Sequence, residues 1–264
     1  MALPADSAHG CHPENSVRTA RMSRTLQTES SMSQIITVFG ATGAQGGGLA
    51  RAILADPERR FAVRAATRRP DGTAARALAA AGAEVVAADL DDPPSVERAM
   101  RGAYGAFCVT NYWEHLSPER ELAQAETMAR AASSAGVSHI VWSTLEDTRQ
   151  YVMPGRVMPV LAGRYNVPHF DAKGEANRAF IDRGLPTTLL HTSFYWDNLI
   201  HFGMQPRRGA SGGLEFILPM GDARLPGIAA DDIGPCALGI FARGAGLVGK
   251  SGGIAGEHLS GAQM

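Results

Sequence analysis

Cysteine is scarce in this 264-residue chain, with only Cys11, Cys108 and Cys236, far apart from one another. An odd, widely spaced set excludes a disulfide framework and suits a reducing compartment, so a cytoplasmic location is expected. No apolar run approaches the roughly 18 residues that a spanning helix needs, so no membrane partner is expected. Neither sign of charge is in excess, with 25 Lys and Arg against 26 Asp and Glu. Without a basic stripe or a recognition helix, direct nucleic-acid binding is not expected. No solenoid-type repeat is visible, and the length is ample for one or two domains with a core.

The first 31 residues also lack apolar periodicity and any stretch that would serve as a secretory signal. Arg18, Arg21 and Arg24 among Ser and Thr resemble a transit peptide, but Asp6, Glu14 and Glu29 argue against one. Residues 1–32 are therefore read as a disordered leader, or as translation begun upstream of a true start at Met32. His9, Cys11 and His12 are ligand types, yet no distant partner joins them, and no metal is expected.

What is present begins at Gln34. Ile35, Ile36, Val38 and Phe39 predict a short buried strand that ends in a glycine-rich turn; Leu49, Ala50, Ile53 and Leu54 then recur at helical period. Gly40, Gly43 and Gly46 carry G-x-x-G-x-x-G spacing between the two elements. Strand, tight turn and helix form the context of a dinucleotide fingerprint: glycines admit a pyrophosphate close to the backbone, and the helix N-terminus favours its charge.

The second strand runs from Phe61 to Thr67-Arg68-Arg69-Pro70. NAD-preferring sites place an acid near this strand end to accept from the ribose hydroxyls; Arg68 and Arg69 stand here instead. A guanidinium suits the 2′-phosphate of NADP, which a carboxylate would repel; two solvated loop arginines are the other reading. Further strands are predicted at Glu84–Ala88, leading to Asp89-Leu90, at Ala103–Thr110, followed by Asn111-Tyr112-Trp113, at His139–Trp142, ending in Ser143-Thr144, and at Thr187–His191. Helices separate them, including Pro118–Ala135 capped by Gly136. This alternation predicts an α/β fold with a doubly wound, Rossmann-type parallel sheet. Residues 33–190 are expected to form the NAD(P)-binding domain. Residues 191–264 are expected to form a smaller C-terminal lobe, with some elements packed on that domain. Tyr112 and Trp113 lie on the ligand-binding carboxyl edge or pack under the next loop; both readings stand.

GATGAQGG after the first strand, TRRP after the second, VTNYWE after the fourth and HFDAKGE later resemble the NmrA-like, HSCARG-type group of atypical short-chain dehydrogenase/reductases. The resemblance runs from Ser33 to the C-terminus. It implies a Rossmann-fold NADP(H)-binding protein, with NAD(H) less favoured, that senses the nucleotide or regulates a partner protein rather than turning over substrate; a homodimer is admitted. The cofactor-binding residues expected on this basis are Gly40, Thr42, Gly43, Ala44, Gln45 and Gly46 in the loop, and Arg68, Arg69, Asp89, Leu90, Thr110, Asn111 and Tyr112 at the next strand ends. Lys173, at the nicotinamide ribose, and Tyr195, Trp196, Asp197 and Asn198, in a segment that closes over the nicotinamide, complete the set. Core packing is the other reading of that aromatic segment.

Catalytic short-chain reductases use Tyr-x-x-x-Lys on one helix face, where lysine lowers the pKa of the phenol. His169 and Lys173 have this spacing, with histidine in the place of the tyrosine, and Ser143 resembles the catalytic serine in position. If the protein is active, Ser143, His169 and Lys173 are its catalytic candidates, in an NAD(P)H-dependent reductase of a small carbonyl or quinone. Tyr165 and Tyr151 are substitute acids, although Pro168 interrupts any helix joining Tyr165 to His169. Two departures from the group stand out. Ala123-Gln124-Ala125-Glu126 replaces its usual Lys or Asn near a Gln-Gly pair, so a phosphate contact is expected to be lost. Ser260-Gly-Ala-Gln263 has capping-box spacing, yet the sequence stops at Met264; a shortened lobe with uncovered apolar surface is expected.

Overall fold

A strand buried on both faces has no solvent side on which to carry polar residues. The computed structural model describes residues 33–152, 155, 159–201 and 203–264; the leader, with His9, Cys11 and His12, lies outside them. In β1 (Gln34–Phe39), Ile36 and Val38 are fully buried, and so is Thr37, whose hydroxyl donates to the Ala99 carbonyl at 2.9 Å. The chain continues through α1 (Ala44–Leu54), β2 (Phe61–Thr67), α2 (Thr73–Ala80), β3 (Glu84–Ala87), α3 (Pro93–Met100), β4 (Gly105–Cys108) and α4 (Pro118–Ala135). Next come β5 (His139–Thr144), α5 (Pro168–Ile181), β6 (Thr187–His191), β7 (Phe194–Tyr195), β8 (Arg207–Arg208) and β9 (Leu214–Glu215). β10 (Leu225–Ile228), α6 (Ile233–Arg243), β11 (Ser251–Gly253) and β12 (Glu257–Leu259) complete the described elements.

Seven strands form one sheet in the order β11-β6-β5-β4-β1-β2-β3, all paired in parallel. Alternate residues feed two cores, as a period of two requires. Phe107 faces Ile36, Leu49, Val141, Ile233 and Phe241 under α1 and α6, while Ala106 and Cys108 face Val96, Met128, Trp142 and Phe180 under α3, α4 and α5. Burial pushes the Cys108 thiol far above its ordinary pKa, leaving it an inert core residue. The expected doubly wound Rossmann-type sheet is therefore present. Its strand order reverses between β1 and β4, the place where such sheets open a crevice for ligands.

The boundaries of α4 and β6 coincide with the sequence expectation, and Ser117 caps α4 by accepting from the Arg120 N–H at 3.2 Å. The later chain departs from it. β10 starts at Leu225 and pairs with both β7 and β12, a small sheet that the sequence expectation did not include. β11 is Ser-Gly-Gly, without a side-chain pattern to betray a strand, yet it is the edge of the main sheet beside β6. α6 packs into the core under β1, as expected of elements in the smaller lobe that lie on the first domain, and Ser33–Met264 is one compact unit. At the chain end, half of the expected capping box forms, the Ser260 N–H donating to Gln263 Oε1 at 2.9 Å.

α1 and α6 cross at backbone contact. A Cβ on Gly48 would lie 2.8 Å from the Asp231 carbonyl oxygen, and one on Gly234 would lie 2.1 Å from the Gly48 carbonyl carbon. Only glycine fits at these two positions.

Candidate functional site

The crevice begins with the loop after β1. Gly40 has a φ of 64°, in the left-handed region that glycine enters without strain, and its carbonyl accepts from the Gly43 N–H at 2.9 Å. A Cβ on Gly46 would lie 2.5 Å from the Gly40 oxygen and 2.6 Å from that of Phe39, so the third glycine lets α1 press on the strand it follows. No side chain caps the N-terminus of α1, and its first turn holds no acid. The first-turn N–H groups of Ala44, Gln45 and Gly46 and the positive end of the helix dipole thus face the crevice without a competing anion, which fits a dinucleotide pyrophosphate. Thr42 lies beside the end of β2, its hydroxyl 3.4 Å from that of Thr67.

At that strand end Arg68 is half exposed and grips the Glu114 carboxylate with both Nη atoms, Nη2 donating to Oε2 at 2.9 Å. The pair spans from β2 to the short helical turn Tyr112–Glu114 after β4. It raises the Arg68 pKa and holds the Glu114 carboxyl below the usual carboxylate range. The Arg69 N–H donates to Thr67 Oγ1 at 3.3 Å. Asp89 turns its carboxylate back on the Asp91 N–H at 3.0 Å, and Leu90 packs into the core under α3 and α4. Asp91 holds Arg120 and Gln124, giving that glutamine a carboxylate partner rather than an open cleft.

At the other side of the β4 edge a second ion pair is entirely buried. Lys173 Nζ donates to Glu121 Oε1 at 2.7 Å, to Thr110 Oγ1 at 2.6 Å and to the Thr110 carbonyl at 3.0 Å, and lies 5.5 Å from the centre of the Trp142 ring. Glu121 is 0 % exposed. The Ser117 N–H donates to His115 Nδ1 at 3.1 Å, which leaves the ring proton on Nε2, 3.4 Å from Glu121 Oε2. Sequence reasoning passed over Glu121; an acid in the first turn of a helix reads as a dipole or capping residue.

His169 sits in the first turn of α5, its ring 4.6 Å from those of Trp113 and Phe170 and 5.9 Å from that of Tyr112. Burial, then the nearby Lys173 cation, depress its pKa to about 4. At pH 7 the ring is therefore neutral and has no imidazolium proton to give. Tyr112 is buried and donates to the Leu116 carbonyl at 3.3 Å, whereas Trp113 is 63 % exposed. Asn111 is exposed at the start of the turn.

Ser143, buried at the end of β5, donates to Gln45 Oε1 at 2.7 Å, and Gln45 Nε2 donates to the Tyr195 hydroxyl at 2.5 Å. Burial raises the pKa of that phenol. Gln45 thereby ties the glycine loop to β5 and to β7, a bridge with no signal in the sequence beyond its place in the loop. The neighbours of Tyr195 turn elsewhere: the Trp196 ring covers the backbone of Gly227, and Asp197 accepts from the Ala230 N–H at 2.8 Å. Asn198 is half-buried in the same short helical turn. Of the substitute acids, Tyr165 is fully buried between the Arg149 and Arg164 guanidinium groups, 5.1 and 4.8 Å from its ring centre, and precedes α5. Tyr151 is exposed. Asp171 is also buried, accepting from the N–H groups of Thr148, Asn166 and Val167 and from the Thr148 hydroxyl, which anchors the start of α5.

The sequence profile of the NmrA-like family matches residues 32–264. The NmrA-like family domain-containing oxidoreductase FrzB of Cladobotryum sp is 33% identical over 229 residues, which are 80% of this chain and 65% of that protein. The chain thus spans less than two thirds of this relative. NmrA, a negative transcriptional regulator, superposes with a TM-score of 0.75 at 26% identity over 88% of this chain and 69% of that one. Its complexes with NADP and with NAD each superpose with a TM-score of 0.72. The triphenylmethane reductase of Citrobacter sp., complexed with NADP(H), shares the fold with a TM-score of 0.67 at 19% identity, over 86% of this chain and 72% of that one. No helix among the described residues is long and apolar enough to cross a membrane.

Proposed function

The chain belongs to the NmrA-like family, and from that premise we propose that it binds NADP(H) and acts as a redox sensor or regulator with little or no turnover. NAD(P) binding draws support from the glycine cradle at the β1–β4 switch point and from the relatives, NmrA having been solved with both nucleotides. The N–H groups at the start of α1 hold the pyrophosphate, and Arg68 takes the 2′-phosphate that distinguishes NADP. When bound, the cofactor supplies hydride chemistry; the accompanying proton comes from a side chain of this protein or from solvent.

The observation that carries the regulatory reading is the commitment of Lys173 to Glu121 and Thr110, four residues after an imidazole held neutral. A lysine so engaged has no phenol in front of it to activate, and the ring in front of it has no proton to donate at neutral pH. The cofactor instead orders the segments around Asn111 and Tyr195–Asn198, changing a surface that a regulatory protein partner or a second copy reads through its differing affinity for two states. The cytoplasm, where the NADPH pool is reducing, is the location we assign to it.

A second reading, an NADPH-dependent reductase of a small carbonyl or quinone, is favoured by one observation, the Ser143–Gln45–Tyr195 chain, which brings a protonated phenol to the serine at the end of β5. Incubation of the protein with NADPH and a panel of quinones and aldehydes separates the two. The regulator leaves NADPH unconsumed. Sustained oxidation that Ser143→Ala or Tyr195→Phe abolishes would overturn it and establish the reductase. The choice of nucleotide is tested by titration: Arg68→Ala should lower the ratio of NADP to NAD affinity by roughly 1.5–3 kcal/mol, and an unchanged ratio removes the assignment of Arg68.

A further inference from the structure

We infer that Glu114 is a specificity-determining residue, a carboxylate that competes with the 2′-phosphate of NADP(H) for Arg68 and is displaced by it. The inference rests on the cofactor reading above and adds to it a residue and a consequence. Arg68 reaches into the space beyond β2, and both of its Nη donors are already satisfied by Glu114. A planar guanidinium offers this face to one bidentate acid at a time, carboxylate or phosphate. The pair is open to water, with Arg68 and Glu114 side chains 54 % and 39 % exposed, so exchanging one anion for another leaves no charge stranded in the interior. NAD, whose ribose hydroxyl is neutral, has nothing with which to displace the carboxylate and leaves the pair intact.

Among the charges around the pair, Asp89 works against the incoming phosphate, while Arg120 lies near both members, so it adds positive potential for the phosphate and gives Glu114 a cationic neighbour when it lets go. The segment that carries it is short and strained: the turn Tyr112–Glu114 is followed by Leu116 in the left-handed region, with a φ of 53°. Trp113, beside Glu114, rests on the His169 ring at 4.6 Å. Displacement of Glu114 therefore moves the indole off the first turn of α5, and the 2′-phosphate is felt at the opposite end of the crevice.

Calorimetric titration of the full chain and its Glu114→Gln variant with NADP⁺ and NAD⁺ tests this, with tryptophan fluorescence followed in parallel. Removing the competing charge and its repulsion of the incoming phosphate should raise NADP⁺ affinity roughly threefold to tenfold and leave NAD⁺ within about twofold. Wild-type fluorescence should change with 2′,5′-ADP and not with 5′-AMP, a difference that Trp113→Phe removes. Glu114→Asp, which keeps the charge but is too short for the bidentate grip, should raise NADP⁺ affinity less than Glu114→Gln does. NADP⁺ affinity unchanged in both variants, or raised equally with that for NAD⁺, overturns the competition. If Arg68→Ala still abolishes NADP preference in that case, the cofactor reading survives. If the wild type shows no preference and Arg68→Ala changes nothing, that reading falls as well.

Discussion

Two cation–carboxylate pairs flank the end of β4, and both draw their acid from the segment that follows it. Arg68–Glu114 lies in water; Lys173–Glu121 lies in the core with Thr110 and His115 around it. A few residues along one connection therefore separate a pair that is cheap to open from one that is ruinous to open. In high dielectric the two ions lose little by parting, whereas a buried ion without its partner keeps its full desolvation cost. The difference assigns the roles: the buried pair fixes α4 and α5 against the sheet edge, and the exposed one is free to exchange its anion.

The largest effect expected from breaking this comparison is at Glu121. Glu121→Ala leaves the Lys173 ammonium buried with only the two Thr110 oxygens, and should cost about 3–5 kcal/mol of unfolding free energy in urea. Replacing both members together, Glu121→Leu with Lys173→Met, should recover most of that loss, since an apolar pair of similar volume strands no charge. If Glu121→Ala unfolds at the wild-type midpoint, the pair is not buried as described.

The sheet was largely legible in the sequence; these two pairs were not. Runs such as Ile35–Phe39 and the helical period of α1 are local patterns, and one period suffices to place an element. Arg68 and Glu114 are 46 positions apart and Lys173 and Glu121 are 52 apart, so their pairing is set by strand order and by the loops beyond the strands. Glycine gave a mixed result. Gly40, Gly43 and Gly46 announced themselves through spacing, whereas Gly48 and Gly234 matter because two distant helices cross there, which no single window contains. β11 escaped because its ladder is made by the backbone of Ser-Gly-Gly, with no side-chain alternation to read. His169 was visible in the place of a tyrosine, but its charge state depends on rings and a cation brought in from elsewhere.

That charge state gives an effect of middle size, and it sharpens the comparison from the side of the buried pair. With a folded pKa of about 4 against an unfolded value near 6.5, His169 stays neutral while the unfolded chain takes up a proton. Its contribution to stability is therefore present above about pH 6.5 and is lost as the pH falls from there towards 4. NMR titration of the histidine resonances, with His169→Gln to assign them, should find one that titrates near 4. Lys173→Met removes the second cause of the depression and leaves the first, burial, so the value should rise but remain below 6.5. A resonance already titrating at 6.5 in the wild type would mean that the ring is solvated and the stack on Trp113 is absent.

The smallest effect is expected where the proposed function is most concentrated. Glu114→Ala breaks a bidentate ion pair with good geometry, yet its loss should cost no more than about 0.5–1 kcal/mol, because both side chains regain water and the rotamer freedom that the pair withheld. The same urea series that registers Glu121→Ala as a large shift should place Glu114→Ala close to wild type, and high salt should narrow the remaining gap by screening the exposed pair. A stability loss at Glu114 as large as that at Glu121 would contradict the division of roles, since an acid needed to hold the fold is not free to yield Arg68 to a phosphate. A small loss, combined with a nucleotide response confined to NADP, is what an exchangeable contact requires: little free energy stored in the fold, and a partner whose charge decides where the arginine points.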